Sequence, residues 1–206
     1  MLSVLIPSIP ERIDKALKLL NNITEQDQGG KVEVLLFTDN RQRSIGQKRD
    51  ALVQIAKGKY MVFVDDDDDV GDTFVADILE AAKGSPDIIT YKHRAYINGV
   101  GYTINSDLRN KKDEQLHSDG AKEIKRKPCH SNAIRTEIAQ RHRFHDLNYG
   151  EDANWMKRVA KEVKTQQKIN RILHFYIYND HTTAADQTAD AVNKGGKAVR
   201  GKIQTL

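Results

Sequence analysis

The chain has 206 residues, 38% of them hydrophobic, enough to fill one core and short of two at about 100–200 residues per domain. Lys and Arg number 33 against 29 Asp and Glu, a formal charge of +4; five of the acids stand together as Asp65 to Asp69, so the remaining surface leans basic. With a mean hydropathy of −0.65 and no apolar run near the ~20 residues a membrane-spanning helix needs, a transmembrane helix is excluded. Met1 leads into LSVLIPSIP, which has neither a basic stretch nor a small-residue cleavage site, so the reading is an intracellular, cytoplasmic chain without a signal peptide. The single cysteine, Cys129, leaves no internal disulfide to hold the fold.

In chain order, Ser3 to Ile6 is a β-branched and apolar run, read as a buried strand ended by Pro7. Ile13 to Ile23 carries apolar residues at helical spacing, and Gln26 to Gly30 supplies breakers. Val32 to Phe37 reads as a second strand closing at Thr38, Asp39 and Asn40, and Gly46 to Ala56 as a helix stopped by Gly58. Tyr60 to Val64 is a third strand, and the aspartate run begins at its C-terminal end. Thr73 to Ala82 reads as a helix and Asp87 to Tyr91 as a fourth strand. Strands alternating with helices predict an α/β fold, a mostly parallel sheet with helices on both faces. Such sheets take ligands at the C-terminal ends of their strands, where Pro7 to Arg12, Asp39 and Asp65 to Asp69 all fall.

Lys92 to Lys127 is polar and weakly periodic and reads as a variable loop region, with a hairpin over Ile97 to Ile104 around Gly99 and Gly101. Asp152 to Val163 is helical, and Ile172 to Tyr178 is a late strand ending in Asn179, Asp180 and His181. Beyond Thr182 the composition turns to Ala, Gly, Lys and Thr. The predicted organisation is therefore one domain over 1–182 and a basic helix or tail over 183–206.

Five adjacent aspartates repel one another, and a divalent cation resolves that conflict, since Mg²⁺ and Mn²⁺ prefer carboxylate oxygens. The competing reading is a solvated acidic loop. A calcium-binding EF-hand loop starting at Asp65 fails, because its sixth position is Val70 and its twelfth is Ala76.

Three segments in order carry a resemblance to a known family. FVDDDDD, preceded by SIGQKRDALVQIAKGKYMV, resembles the region of family 2 glycosyltransferases in which an Ala-Arg-Asn-like triplet leads into a strand ending in Asp-x-Asp. LSVLIPSIPER resembles that family's first strand and nucleotide loop, and GEDANWMKR its later Glu-Asp segment. The resemblance spans Leu2 to about His181. It implies a GT-A fold, Rossmann-like, with a nucleotide-sugar donor, most simply a UDP-sugar, and Mn²⁺ or Mg²⁺ as cofactor.

Carried over position by position, the resemblance puts Pro7, Ser8 and Glu11 in the loop that cradles the nucleotide and Asp39 against the base. Arg49 matches the triplet arginine, and Asp50 stands where asparagine is usual. Asp65 falls near the ribose with Asp66 beside it on the donor, and Asp67 falls on the metal. Arg49 has two open readings, nucleotide contact or a salt bridge to the acidic run. His181 falls near a position where related folds place a histidine on the metal. Of Glu151 and Asp152, which follow Gly150 at a helix start, Asp152 is implied as general base and Glu151 as an orienting partner; an N-cap role for one of them is the plain alternative.

The remaining candidates read as structural. His174, inside LHFYIY, reads as core or sheet face, and Trp155 as core with stacking on a sugar as the alternative. Cys129 and His130, in KPCHSNAIR, have no partner pair for a metal and read as a strand beside the acceptor pocket. The function implied is inverting, metal-assisted glycosyl transfer to an acceptor hydroxyl. Against it stand a metal-dependent nucleotidyltransferase and a nucleotide- or nucleic-acid-binding module without activity; neither a P-loop nor a GxGxxG is present. Basic residues at Lys122 to Lys127, at Arg135, Arg141 and Arg143, and in the tail leave a polyanionic acceptor such as modified DNA open beside plain solubilising charge.

Overall fold

The first strand, β1 (Leu2–Ser8), lies between β2 (Val32–Thr38) and β3 (Tyr60–Phe63) and pairs with both in parallel. Successive strand residues face opposite sides of a sheet, so Leu2, Val4 and Ile6 join Tyr60 and Val62 in one core, while Leu5 joins Met61 and Phe63 in another. Helix α1 (Ile13–Glu25) covers the first core with Ala16, Leu19 and Ile23. Helix α2 (Ile45–Ile55) covers the second with Leu52 and Val53. Helix α3 (Phe74–Ala81) returns to the first face, and α4 (Thr136–Ala139) and α5 (Glu151–Val159) to the second. Helices on both faces of one sheet are what the alternation of strand and helix predicts.

The computed structural model describes residues 1–97, 100–114 and 123–178. Among these the sheet has nine strands. Past β3 come β8 (Ala133–Arg135), β5 (Ile88–Ile97), β6 (Val100–Ser106) and β7 (Glu123–Arg126), in the order β2-β1-β3-β8-β5-β6-β7. The short β8 runs antiparallel to both β3 and β5. Strand β9 (Gln166–Tyr178) pairs in parallel with β5 and holds the two-residue β4 (Asp69–Val70) on its other side. Most of the paired residues lie in parallel ladders.

Several sequence expectations need correction. Pro7 does not end β1: it sits opposite Phe37 at a level where the β3 ladder, which stops at Leu5 and Phe63, has left one side open. A residue without an N–H is tolerated there. The stretch read as a variable loop is mostly sheet, with β5 and β6 forming a long antiparallel ladder from Lys92–Asn105 to Ile97–Val100. Its period of two is hidden because one buried position on β5 is a histidine, His93, beside buried Tyr91 and Ala95. Strand β9 begins at Gln166, six residues before the apolar run. In KPCHSNAIR only Ala133–Arg135 is strand, and Cys129 to Asn132 form the turn before it. Gly99, the segment 179–206 with its predicted tail, and Lys122 lie outside the described residues.

Trp155 is fully buried, stacked on Phe144 at 4.6 Å, with its indole N–H donating to the His142 carbonyl at 2.8 Å. It is core and has no face for a sugar. Trp155→Ala removes this packing and orphans that carbonyl, so unfolding in denaturant is expected to show a loss of about 3–5 kcal/mol; a loss below about 1 kcal/mol would mean that α5 is not anchored here.

Candidate active site

The C-terminal ends of β1, β2 and β3 bring Ser8, Asp39 and the aspartate run to one edge of the sheet. The five aspartates do not act as one concentrated charge, contrary to the simplest reading of the sequence. A turn, closed by Asp68 N–H to the Asp65 carbonyl at 3.0 Å, sends each side chain a different way. Asp65 meets Arg49 at 2.8 Å. Asp66 is buried and accepts from the Ser8 hydroxyl at 2.8 Å, with Arg12 at 3.2 Å. Asp67 lies partly open and takes Arg12 at 2.5 Å. Asp68 is buried on His174 at 3.0 Å, and Asp69 accepts from Asn22 at 3.0 Å.

Arg12 is therefore shared between two acids. Burial, only partly offset by Arg12 and Ser8, pushes the Asp66 carboxyl up to about 6, and burial raises Asp67 as well. Burial also works against the Asp65 carboxylate, but Arg49 and then His130 outweigh it and hold its pKa well below the usual range.

A second group of charges faces this run from α2, α5 and the turn before β8. Arg49, buried in α2 with its guanidinium 5.0 Å from the Phe63 ring centre, reaches Asp65 on one side and Glu151 at 3.2 Å on the other. Glu151 and Asp152 open α5, but neither caps it: Gly150, at φ 73°, is the N-cap and no side chain bonds there. A left-handed backbone at that point favours glycine. Both acids lie in the first turn, where the helix dipole stabilises negative charge. Their exposures differ sharply, 7% for the Glu151 side chain and 36% for Asp152. Glu151 is turned inward on Arg49, and burial raises its carboxyl above the ordinary value. Asp152 faces outward, and against the effect of burial His130 and Arg49 bring it down to about 2.

The loop leading into α5 is clamped onto the start of α2. Ser44 and Gln47 donate to Asp146 at 2.6 and 2.9 Å, and Gly46 N–H donates to the Leu147 carbonyl at 3.0 Å. A Cβ on Gly46 would stand 2.0 Å from the His145 carbonyl oxygen, so only glycine permits this approach. The clamp sets the distance between Arg49 and Glu151. Asp50, one residue on, holds the same loop through Arg143 at 2.5 Å and the Phe144 N–H at 2.9 Å.

On the β1 side, Lys48 is buried, pairs with Asp39 at 2.7 Å and donates to the Ser8 carbonyl at 2.8 Å. Glu11 is exposed beside Arg41 at 3.2 Å, and Pro7 is buried at the end of the ladder.

The structure thus joins Asp65, Arg49, Glu151 and Asp152 through Arg49 and His130, and beside them Ser8 to Asp66, with Pro7 and Asp39 adjoining. Glu11 lies apart from the aspartates, and His181 is outside the described residues. Of the two readings of Arg49, the salt bridge is present. Sequence reasoning missed Lys48 and the Asp68–His174 pair, and it set Arg12 in the loop after β1 and His130 beside the acceptor pocket without giving either a role. Lys48 and Arg49 stand four residues before Leu52 and Val53, so helical spacing alone aims them inward. His130 gave no such signal; its ring lies between Asp152 at 3.1 Å and Asp65 at 3.9 Å. Burial lifts the Cys129 thiol to about 11, which removes it as a thiolate nucleophile.

Among the described residues, no three His, Cys, Asp or Glu side chains converge as a metal cage. The donor set nevertheless suits a hard cation. Asp67 is partly open, its neighbour Asp66 is held well above the usual carboxylate range, and one guanidinium serves both. A Mg²⁺-like ion takes one or two carboxylates and completes its shell with water and substrate phosphates.

A three-layered α/β chain with acids and cations gathered at the carboxyl ends of its first strands is a GT-A fold, and solved structures share it. Residues 1–349 of S. aureus TarS superpose with a TM-score of 0.67 at 16% identity, over 85% of this chain and 60% of that one. The same protein in complex with UDP-GlcNAc gives 0.67 at 16%, over 86% and 58%, and in complex with UDP 0.67 at 15%, over 93% and 64%. The chain thus spans about three-fifths of those structures. Among curated protein sequences none matches the chain significantly. The sequence model of Glycosyl transferase family 2 matches residues 11–159, and the chain belongs to that family.

Proposed function

We propose that the chain is an inverting glycosyltransferase that moves a sugar from a nucleoside-diphosphate sugar, first of all a UDP-sugar, to an acceptor hydroxyl. The observation that carries this reading is the outward-facing carboxylate of Asp152, set across from the aspartate run and linked to it through His130, while Arg49 ties the neighbouring Glu151 to Asp65. TarS, which shares the fold, has been solved with UDP-GlcNAc and with UDP, which supports the donor class.

In this reading Pro7, Ser8, Glu11 and Asp39 line the nucleotide side, and Asp65 and Asp66 face the sugar-bearing end of the donor. Arg49 is ion-paired with Asp65 and Glu151 and positions these carboxylates, while its Nη1 lacks a hydrogen-bond partner among the described residues. Glu151 orients the start of α5. Asp152 takes the proton from the acceptor oxygen as that oxygen bonds to the anomeric carbon and the bond from that carbon to the diphosphate oxygen breaks. A single carboxylate at the reacting face, with no second nucleophile, suits one displacement with inversion. Asp67, and His181 beyond the described residues, would hold Mn²⁺ or Mg²⁺, which when bound neutralises charge on the departing diphosphate.

The acceptor is not specified by these residues. Arg135, Arg141 and Arg143 each have an acid partner, in Asp87 at 3.6 Å, Glu162 at 2.9 Å and Asp50 at 2.5 Å, so this basic cluster is largely spent on internal pairs. Calorimetric titration with UDP tests the donor side: binding in Mn²⁺ that weakens at least tenfold in Ser8→Trp is expected, and no binding of UDP or any other nucleoside diphosphate would contradict the reading.

A further inference from the structure

We propose that His130 is a positioning residue of this site, which fixes Asp152 toward the acceptor and ties it to Asp65 on the donor side. The inference rests on Asp152 being the base. His130 stands in the turn before β8, its ring 13% exposed and tilted against Phe63 at 6.2 Å between centres. Nδ1 lies 3.1 Å from Asp152 and Nε2 3.9 Å from Asp65. Nδ1 is within hydrogen-bonding distance of Asp152, and Asp65, at 3.9 Å too far for a hydrogen bond, sets a second negative charge beside Nε2; together they favour the charged ring.

Three acids and two cations then close a circuit in which Glu151 and Asp152 stand side by side. Arg49 joins Asp65 at 2.8 Å to Glu151 at 3.2 Å, Glu151 precedes Asp152 on α5, and His130 returns from Asp152 to Asp65. Elements that carry the donor side and the base are thereby held in one register without a direct contact between their carboxylates. The groups facing Asp152 are His130, Arg49, Glu151 on its own helix, Asp65 across the circuit, and the Cys129 thiol. Among the charged groups, His130 is the one in hydrogen-bonding reach of its carboxylate, the Ala153 N–H at 2.7 Å being the other donor. Burial and Arg49 push the imidazole down, but Asp152 and Asp65 outweigh them and lift it to about 9.

Taking away His130 removes a positive neighbour from Asp152, so the base protonates at higher pH and the acid limb of the rate profile moves up. Two measurements on the full chain test this. In the first, the seven imidazoles are titrated by NMR, with His130→Gln identifying the signal. His130 is expected to titrate near about 9 and to fall by at least a unit in Asp152→Asn; titration at or below the ordinary histidine value, or no response to Asp152→Asn, overturns the proposal. This arm needs neither donor nor activity.

In the second, UDP release from UDP-GlcNAc is followed against pH in His130→Gln, with thermal melting as the check on folding. The expected result is kcat lower by about ten- to a hundredfold, KM for UDP-GlcNAc within about twofold, and the acid limb shifted upward. An unmoved limb overturns the proposal. Asp152→Asn in the same assay separates the two readings: wild-type turnover there removes the base assignment itself, whereas loss there with an unmoved limb in His130→Gln removes only the role of His130. If the glutamine variant does not fold, or UDP-GlcNAc is not consumed, the NMR titration of wild type against Asp152→Asn decides alone.

Discussion

Asp152→Asn is expected to lower turnover by about 10²–10⁴-fold, the range of a lost general base, while the affinity for donor stays nearly constant. The asparagine keeps the size of the side chain and can still accept a hydrogen bond, so the helix start is undisturbed. What is lost is the ability to take a proton. The two acids of α5 can be told apart by burial: Glu151, 7% exposed, is committed to Arg49, whereas Asp152, 36% exposed, faces outward where an acceptor would stand. Glu151→Gln is expected to act differently. It leaves Arg49 short of one of its two anions and shows first as lower stability, with a smaller loss of turnover. If steady-state kinetics find Glu151→Gln crippling and Asp152→Asn mild, the roles are exchanged.

Removal of the proposed metal, or of Asp67, is expected to be the second large effect. Asp66 and Asp67 already share the single guanidinium of Arg12, and burial holds Asp66 at about 6. A donor diphosphate would bring further negative charge to the same edge. Metal stabilisation of such charge contributes several kcal/mol, so EDTA or Asp67→Ala should cost about 10²-fold or more in turnover. Mn²⁺ or Mg²⁺ should restore the EDTA-treated protein and leave the variant impaired. Asp67 is partly open and unconnected to either core, so the melting temperature of Asp67→Ala should stay within a few degrees. Full activity in EDTA would rule out a metal here.

Much of the first half was legible in the sequence because its strands are short apolar runs separated by breakers. Leu2 to Ile6 and Tyr60 to Val64 supply alternate residues to two cores, and both runs could be seen without knowing their partners. The second half was less legible. His93 and His174, 3.2 Å apart between their Nδ1 atoms, occupy buried positions on β5 and β9, and polar letters at inward positions erase the period of two. Gln166 to Asn170 belongs to β9 yet reads as loop, because pairing with β5 is what makes it a strand.

The site divides in the same way. Asp65 to Asp69, Arg49, Glu151 and Asp152 stand in short motifs, and motifs survive in a linear reading. Their partners come from far along the chain: Arg12 and Asp67 are 55 residues apart, and Ser8 and Asp66 are 58. Only the closing of β1 against β3 brings those pairs together. His130 is the strongest example, since its adjacent residues carry no sign of Asp65 or Asp152, and the antiparallel entry of β8 beside β3 delivers it. The aspartate run was read as a charge conflict that a divalent cation resolves, beside the plainer reading of a solvated loop; in the fold Arg49, Arg12, His174 and Asn22 also divide that charge.

Whether this edge of the sheet splits a nucleotide sugar is measured by incubating the chain with Mn²⁺ and a panel of nucleotide sugars that includes UDP-GlcNAc, and following the nucleoside diphosphate and free or transferred sugar by mass spectrometry, beside Asp152→Asn. Slow but clear cleavage of at least one donor by the wild type is expected, with inversion at the anomeric carbon, and its loss in the variant. No cleavage of any donor, or equal cleavage by Asp152→Asn, would contradict it.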